Sequence, residues 1–172
     1  LSSCASRQLE EVTFRRTVIP VQELLDAAGK YFKKSMKNRS ERIELEIEPM
    51  EAKVIGDVNQ LRFLLENLID EALTVREDGV IRLQARQDNE YIRFLFTDTR
   101  REKSVEELNQ LFYPNLARMT SGEKGELRGT EYLVCKQIIR DHDEFAGRRG
   151  CRINAEPAEG GGFTVYFTIP RR

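Results

Sequence analysis

A chain of 172 residues, 40% hydrophobic and 33% charged, has the length and composition of one folded domain with a sizeable core, not of a disordered segment. Its 28 Lys and Arg nearly cancel 29 Asp and Glu, and a net charge of -1 offers no overall attraction to nucleic acid or to an anionic membrane. No apolar run approaches the roughly 20 residues that cross a bilayer, no signal-peptide pattern opens the chain, and Cys4, Cys135 and Cys151 lack metal-ligand spacing and suit reduced thiols in a cytoplasmic setting.

Residues 1–11 are polar and read as a tail or the end of a preceding helix, and a first residue other than Met is compatible with a preceding region that could carry a membrane anchor. The domain proper is expected over 12–172. EVTFRRTVI, from Glu11 to Ile19, alternates enough for a strand, with Val12, Phe14, Arg16 and Val18 on one side. Pro20 suits the first turn of a helix running from Val21 to Lys37, with Val21, Leu24, Leu25, Ala28 and Phe32 on its apolar face. RIELEIE alternates Ile43, Leu45 and Ile47 as a half-buried strand, and AKVIG, ending at Gly56, reads as its short partner. Asp57 and Gln60 have the spacing of a capping box and open a helix carrying Leu61, Leu64, Leu65, Leu68 and Ala72. GVIRLQAR and YIRFLFTDT flank the turn-like QDNE and predict an antiparallel hairpin.

A short helix is expected over Val105–Leu111. The segment from Tyr113 to Arg128 mixes Pro114, Asn115, Ser121, Gly122 and Gly125 with charges and is long for a connection, the mark of a functional or mobile loop. A helix from Thr130 to Arg140 follows, with Tyr132, Leu133, Cys135, Lys136 and Ile139 around it; CRINAEP and GFTVYFTIP close the chain as strands, Phe163, Val165, Phe167 and Ile169 forming one face of the last. Helices separated by antiparallel-prone strands predict an α+β, two-layer sandwich. His142, the sole histidine, has no partners for a zinc site or a Ser-His-Asp triad and reads as a surface or partly buried residue. Arg148, Arg149, Arg152, Arg171 and Arg172 lack an interleaved aromatic pattern, so a solvated face is favoured over a nucleic-acid surface.

Six segments, in order, resemble the ATP-binding domain of sensor histidine kinases, the gyrase/Hsp90-type ATPases, over about Val12 to Pro170. VIPVQELLDAAG resembles the lead-in helix, and KVIGDVNQLRFLLENLIDEAL the strand, Asp and long helix of the asparagine box. FLFTDTR resembles the first glycine box, LFYPN the phenylalanine box, GTEYLVCKQIIRDH the second glycine box, and GGGFTVYFTIP the closing strand. The resemblance implies a mixed, mostly antiparallel sheet covered on one face by about three helices, a Bergerat-type fold. It also implies a Mg-ATP site whose cofactor-binding positions are Asn67, Glu71, Asp98, Arg100, Gly129, Glu131 and Thr164. Partners implied are an upstream sensor or dimerisation region of the same protein and a response regulator, with neither nucleic acid nor direct membrane contact.

The departures from the family pattern bear on activity. Where the family offers two asparagines four residues apart, the second as the Mg ligand, this chain has Asn67 and Glu71. Glu71 is a chemically acceptable Mg ligand or simply a solvated helix residue, and with Glu66 and Asp70 beside it the site is acidic. Two like charges 4 Å apart at an effective dielectric of about 20 repel by roughly 4 kcal/mol. Asp98 stands at the adenine-binding Asp, but Arg100 and Arg101 replace the small residues that follow it. Arg100 either fills the base pocket or pairs with Asp98; a counter-reading has these arginines recognise phosphate. Gly129 is kept at the second glycine box, Glu131 takes its second glycine position, and Lys136 matches the helix lysine. The expected function is a histidine-kinase-like domain with a degenerate pocket and no bound cofactor, a pseudokinase acting through contacts. The alternative is a working Mg-ATP kinase domain that phosphorylates a histidine on a separate helical hairpin.

Overall fold

The computed structural model describes residues 13–114, 120–121 and 127–172. The 1–11 tail with Cys4, Val12, and Asn115, Gly122 and Gly125 of the long connection lie outside the described residues. The element order is β1 (Thr17–Pro20), α1 (Val21–Ser35), β2 (Ile43–Ile47), β3 (Lys53–Gly56), α2 (Val58–Ala72), β4 (Gly79–Asp88), β5 (Tyr91–Asp98), α3 (Val105–Gln110), β6 (Thr120–Ser121), β7 (Leu127–Arg128), α4 (Glu131–Phe145), β8 (Ile153–Pro157) and β9 (Phe163–Pro170).

Five strands form one sheet in the order β2-β4-β5-β9-β8. β2 and β4 run parallel, and the other neighbours are antiparallel. Alternation decides which face is covered: Ile81, Leu83 and Ala85 of β4, Ile92, Phe94 and Phe96 of β5, and Phe163, Val165, Phe167 and Ile169 of β9 are all buried. Phe94 and Phe167, opposite each other in register, stack with ring centroids 4.8 Å apart. Against this face lie α1, α2 and α4, each contributing an apolar stripe: Leu24, Leu25, Ala28 and Phe32 from α1; Leu61, Leu64, Leu65 and Leu68 from α2; Cys135, Ile138 and Ile139 from α4. The fold is thus the expected α+β sandwich with a mixed sheet and helices on one face.

Four local expectations change. The first strand begins at Thr17, and Phe14 instead packs against His142 and Phe145, with ring centroids 4.9 and 5.6 Å away. Pro20 ends that strand in extended conformation and caps α1 without entering its first turn; α1 starts at Val21 as expected and stops at Ser35, two residues short of Lys37. β3 pairs with β1 and not with β2. The reason is side-chain matching: Val54 of β3 sits opposite Ile19 of β1, and both are buried. β2 instead lies beside β4, where Glu46 meets Arg82 at 3.0 Å.

The fourth change concerns His142, which is fully buried at 0% exposure. The capping carboxylate of Asp57 accepts from the backbone N–H of Asn59 and Gln60 as expected. The reciprocal half of the box is not made, because the Asp57 N–H donates to Nε2 of His142 at 3.1 Å. Nε2 therefore accepts, Nδ1 carries the proton, and it donates to the Ile138 carbonyl at 2.8 Å. Burial lowers the His142 pKa from its ordinary value.

Candidate functional site

The helix α2 carries its acids on two different sides. Asp70 accepts from the Tyr31 hydroxyl of α1 at 2.7 Å. Burial, then Asp70 and then Glu66, push the Tyr31 pKa up to about 12. Asn67 and Glu71 are one turn apart and turned toward α4: burial first, then the charges of Glu131 and Glu71, raise the pKa of the α4 thiol Cys135. Glu71 of α2 and Glu131 of α4 thus both act on the same buried thiol. The Glu131 Oε2 atom is buried without a hydrogen-bond partner among the described residues. Asn67 is buried, and its amide N–H donates back to the Phe63 carbonyl of its own helix at 2.8 Å.

Asp98 ends β5 on the helix-facing side. Its carboxylate is held entirely by Arg100. The Arg100 backbone N–H and Nε donate to Oδ1 at 3.0 and 2.9 Å, and Nη2 donates to Oδ2 at 2.9 Å. The same guanidinium reaches the end of α2 and the chain beyond it. Nη2 donates to the Ala72 carbonyl at 2.5 Å, and Nη1 to those of Val75 and Glu77 at 2.9 and 3.0 Å. All five guanidinium N–H groups are used. The Arg100 and Asp98 side chains are 1% and 6% exposed, so the pair is a dry, fork-shaped ion pair. Three readings were open for Arg100, namely filling the base pocket, pairing with Asp98 and recognising phosphate, and the structure has it paired with Asp98.

A glycine that the sequence reading did not single out makes this possible. Gly79, at the start of β4, has φ +145°, and a Cβ there would lie 2.6 Å from Cγ of Arg100. The available signal was a glycine opening a strand just before the β-branched pair Val80 and Ile81. Arg101 takes a different course and pairs with Glu77 at the surface, 2.6 Å away.

Thr164 is not brought to the Asp98 carboxylate. Phe163 is the cross-strand partner of Asp98, so Thr164 alternates onto the opposite sheet face and shares a 2.7 Å hydrogen bond with Thr97. Gly129 has φ +79°, a left-handed turn just before α4. Lys136 of α4 donates to the Phe112 carbonyl at 3.4 Å and lies 4.2 Å from the Tyr113 ring centroid. No group of three or more metal-ligating side chains occurs among the described residues, and no described helix is long and apolar enough to cross a membrane.

A mixed sheet with three helices on one face, an aspartate at the end of β5 and an asparagine-bearing helix beside it define an ATPase-type sandwich. The family model described as histidine kinase-, DNA gyrase B- and HSP90-like ATPase matches residues 56–172. The chain belongs to this family. Among solved structures, the mycobacterial sensor histidine kinase MprB superposes with a TM-score of 0.69 at 20% identity, covering 92% of this chain and 99% of that one. The catalytic domain of histidine kinase ThkA, in a nucleotide-free form, gives 0.70 at 21%, covering 91% and 96%. ThkA in complex with the response regulator protein TrrA gives 0.68 at 18%, covering 99% of this chain and 47% of that one. At these identities the structural likeness speaks for the fold. No curated protein sequence matches the chain.

Proposed function

We propose that this histidine-kinase-like ATPase domain of a two-component protein has a degenerate nucleotide pocket, binds Mg-ATP weakly or not at all, and works in the cytoplasm by contacts with partner domains. The observation that carries the reading is the Arg100–Asp98 pair. The family resemblance gives Asp98 the adenine amino group to accept, and here three hydrogen bonds from Arg100 converge on that carboxylate. Adenine would have to displace a buried guanidinium that also holds three carbonyls. The residues at the base end therefore do not fit the cofactor. At the phosphate end, Glu71 and Glu131 would face a polyanion, and the Asn67 amide already donates within its own helix. With phosphoryl transfer impaired, the domain's role passes to its surfaces. The expected partners are an upstream dimerisation region of the same protein and a response regulator, a partner of the kind ThkA has in its complex.

Calorimetric titration of the chain with Mg-ATP and with a non-hydrolysable analogue tests this. No saturable binding is expected up to roughly millimolar nucleotide. Micromolar binding would overturn the reading and favour the second one, a working site in which Glu71 holds Mg. That second reading draws on Asn67 and Glu71 sharing the α4-facing side of α2, and loss of ATP-dependent phosphorylation in the full-length Glu71→Ala protein would establish it.

A further inference from the structure

A concavity of about 600 Å³ lies between α3, α4 and the edge strand β8. Its size suits a bound ligand or a peptide anchor. Leu108 and Phe112 come from the α3 side, Ile139 from α4, and Ile153 and Ala155 from β8, giving it an apolar floor. Three cations, Lys136, Arg140 and Arg152, line it against one acid, Asp143. The acid is already engaged: its Oδ1 accepts from the backbone N–H groups of Gly150 and Cys151 at 2.6 and 3.0 Å. In a chain of net charge -1, this is a locally positive hollow. Cys151 at its margin is chemically quiet, its thiol pKa pushed up to about 12 by burial and by Asp143.

The second observation is independent of charge. β8 is the last strand of the sheet, paired only with β9 among the described residues. In an antiparallel ladder, alternate residues direct both backbone polar groups at the partner and the intervening residues direct theirs away. The Thr168 N–H donates to the Arg152 carbonyl at 3.0 Å, and Ile153 and Asn154 lie opposite Phe167 and Tyr166. Asn154 therefore faces β9 in turn, while the N–H and C=O groups of Ile153 and Ala155 point off the sheet edge. These are the two residues whose side chains help to floor the hollow.

From this juxtaposition we infer that the α3–α4–β8 hollow is a docking site for an extended acidic segment of a partner protein, which adds a strand to β8. Strand addition supplies main-chain hydrogen bonds at Ile153 and Ala155. The period of two then sends alternate side chains of the guest to opposite faces. Side chains on the hollow's face lie over the floor beside Ile139 and Phe112 with Arg140 and Lys136 within reach, so both apolar and acidic ones are wanted there, and acidic ones on the opposite face reach Arg152. Charge complementarity selects an acidic guest over a basic one. The site is separate from Asp98 and stands whether or not nucleotide binds.

The test uses the isotope-labelled chain and a capped Glu–Val octapeptide, Glu-Glu-Val-Val repeated so that Glu and Val alternate along each face, with the corresponding Lys–Val octapeptide and laurate as comparison probes. Saturable amide shifts are expected at Ile153 and Ala155 with the Glu–Val peptide, weakened about tenfold or more by a rise to high salt and by Arg140→Glu. Ala155→Pro deletes one outward N–H and spares the β8–β9 ladder, so it should fold normally and weaken binding about tenfold. No saturation up to roughly millimolar peptide, equal binding of the Lys–Val peptide, or saturation by laurate alone would overturn the inference. Binding lost in Arg140→Glu yet unchanged in Ala155→Pro would also overturn it, in favour of a purely electrostatic contact. A nucleotide titration on the same samples keeps failure here distinct from failure of the pocket reading.

Discussion

The buried Asp98–Arg100 pair and the α3–α4–β8 hollow both bear on this domain's role, and they have opposite character. At Asp98, a cation and an anion from neighbouring positions have closed on each other, and every donor of Arg100 is used. At the hollow, Arg140 and Arg152 line an accessible space beside open strand-edge groups. A buried, saturated group contributes to the fold and is not available to a ligand; a solvated one contributes little to the fold and remains available. The same residue type, arginine, thus serves as internal structure in one place and as contact surface in the other.

The largest effect should come from the filled site. Arg100→Ala leaves the Asp98 carboxylate buried without its counter-charge and strips donors from three carbonyls, and it is expected to cost about 3–5 kcal/mol of stability in urea unfolding. A loss below about 1 kcal/mol would mean that the pair is solvated and that the contrast drawn above fails.

A middle-sized effect separates the buried joint at His142 from both sites. Burial lowers its pKa, so in the window below the ordinary histidine value of about 6.5 the unfolded chain takes up a proton that the folded one refuses. Stability should be level above that value and fall as pH drops through it, by at most about 1.4 kcal/mol per pH unit. His142→Gln should remove this component. A midpoint that does not change between neutral and mildly acidic pH would show that the ring accommodates charge.

The smallest effect belongs to the open hollow. Arg140→Ala should change stability by no more than about 0.5 kcal/mol, with an unchanged melting curve as the check. A large loss would move Arg140 into the class of Arg100 and remove it from the docking surface.

How much of this was readable in the sequence depends on the range of the interaction. The helical stripes of α1 and α2, the β4–β5 hairpin and the alternation of β9 follow from local periodicity, and the structure has them within a few residues. The partner of β3 was misassigned because Ile19 and Val54 match over a separation of 35 positions, beyond any local pattern. The cap at Asp57 was legible, since a carboxylate three residues before Gln60 is a local signal. Its N–H partner was not, because His142 is 85 positions away. For the site, the residue types at Asn67, Glu71, Asp98, Arg100 and Glu131 were visible, and Arg100 was left among three readings. Only the structure brings the Ala72, Val75 and Glu77 carbonyls and the bare Gly79 around it.

The joint at His142 has one more consequence. The entry segment reaches it twice, through the Phe14 ring and through the Arg15 N–H, which donates to Asp57 Oδ2 at 2.9 Å. Asp57 begins α2, and His142 belongs to α4. A twist or tug applied where the polypeptide enters is therefore delivered straight to the roots of both helices, bypassing the five-stranded sheet.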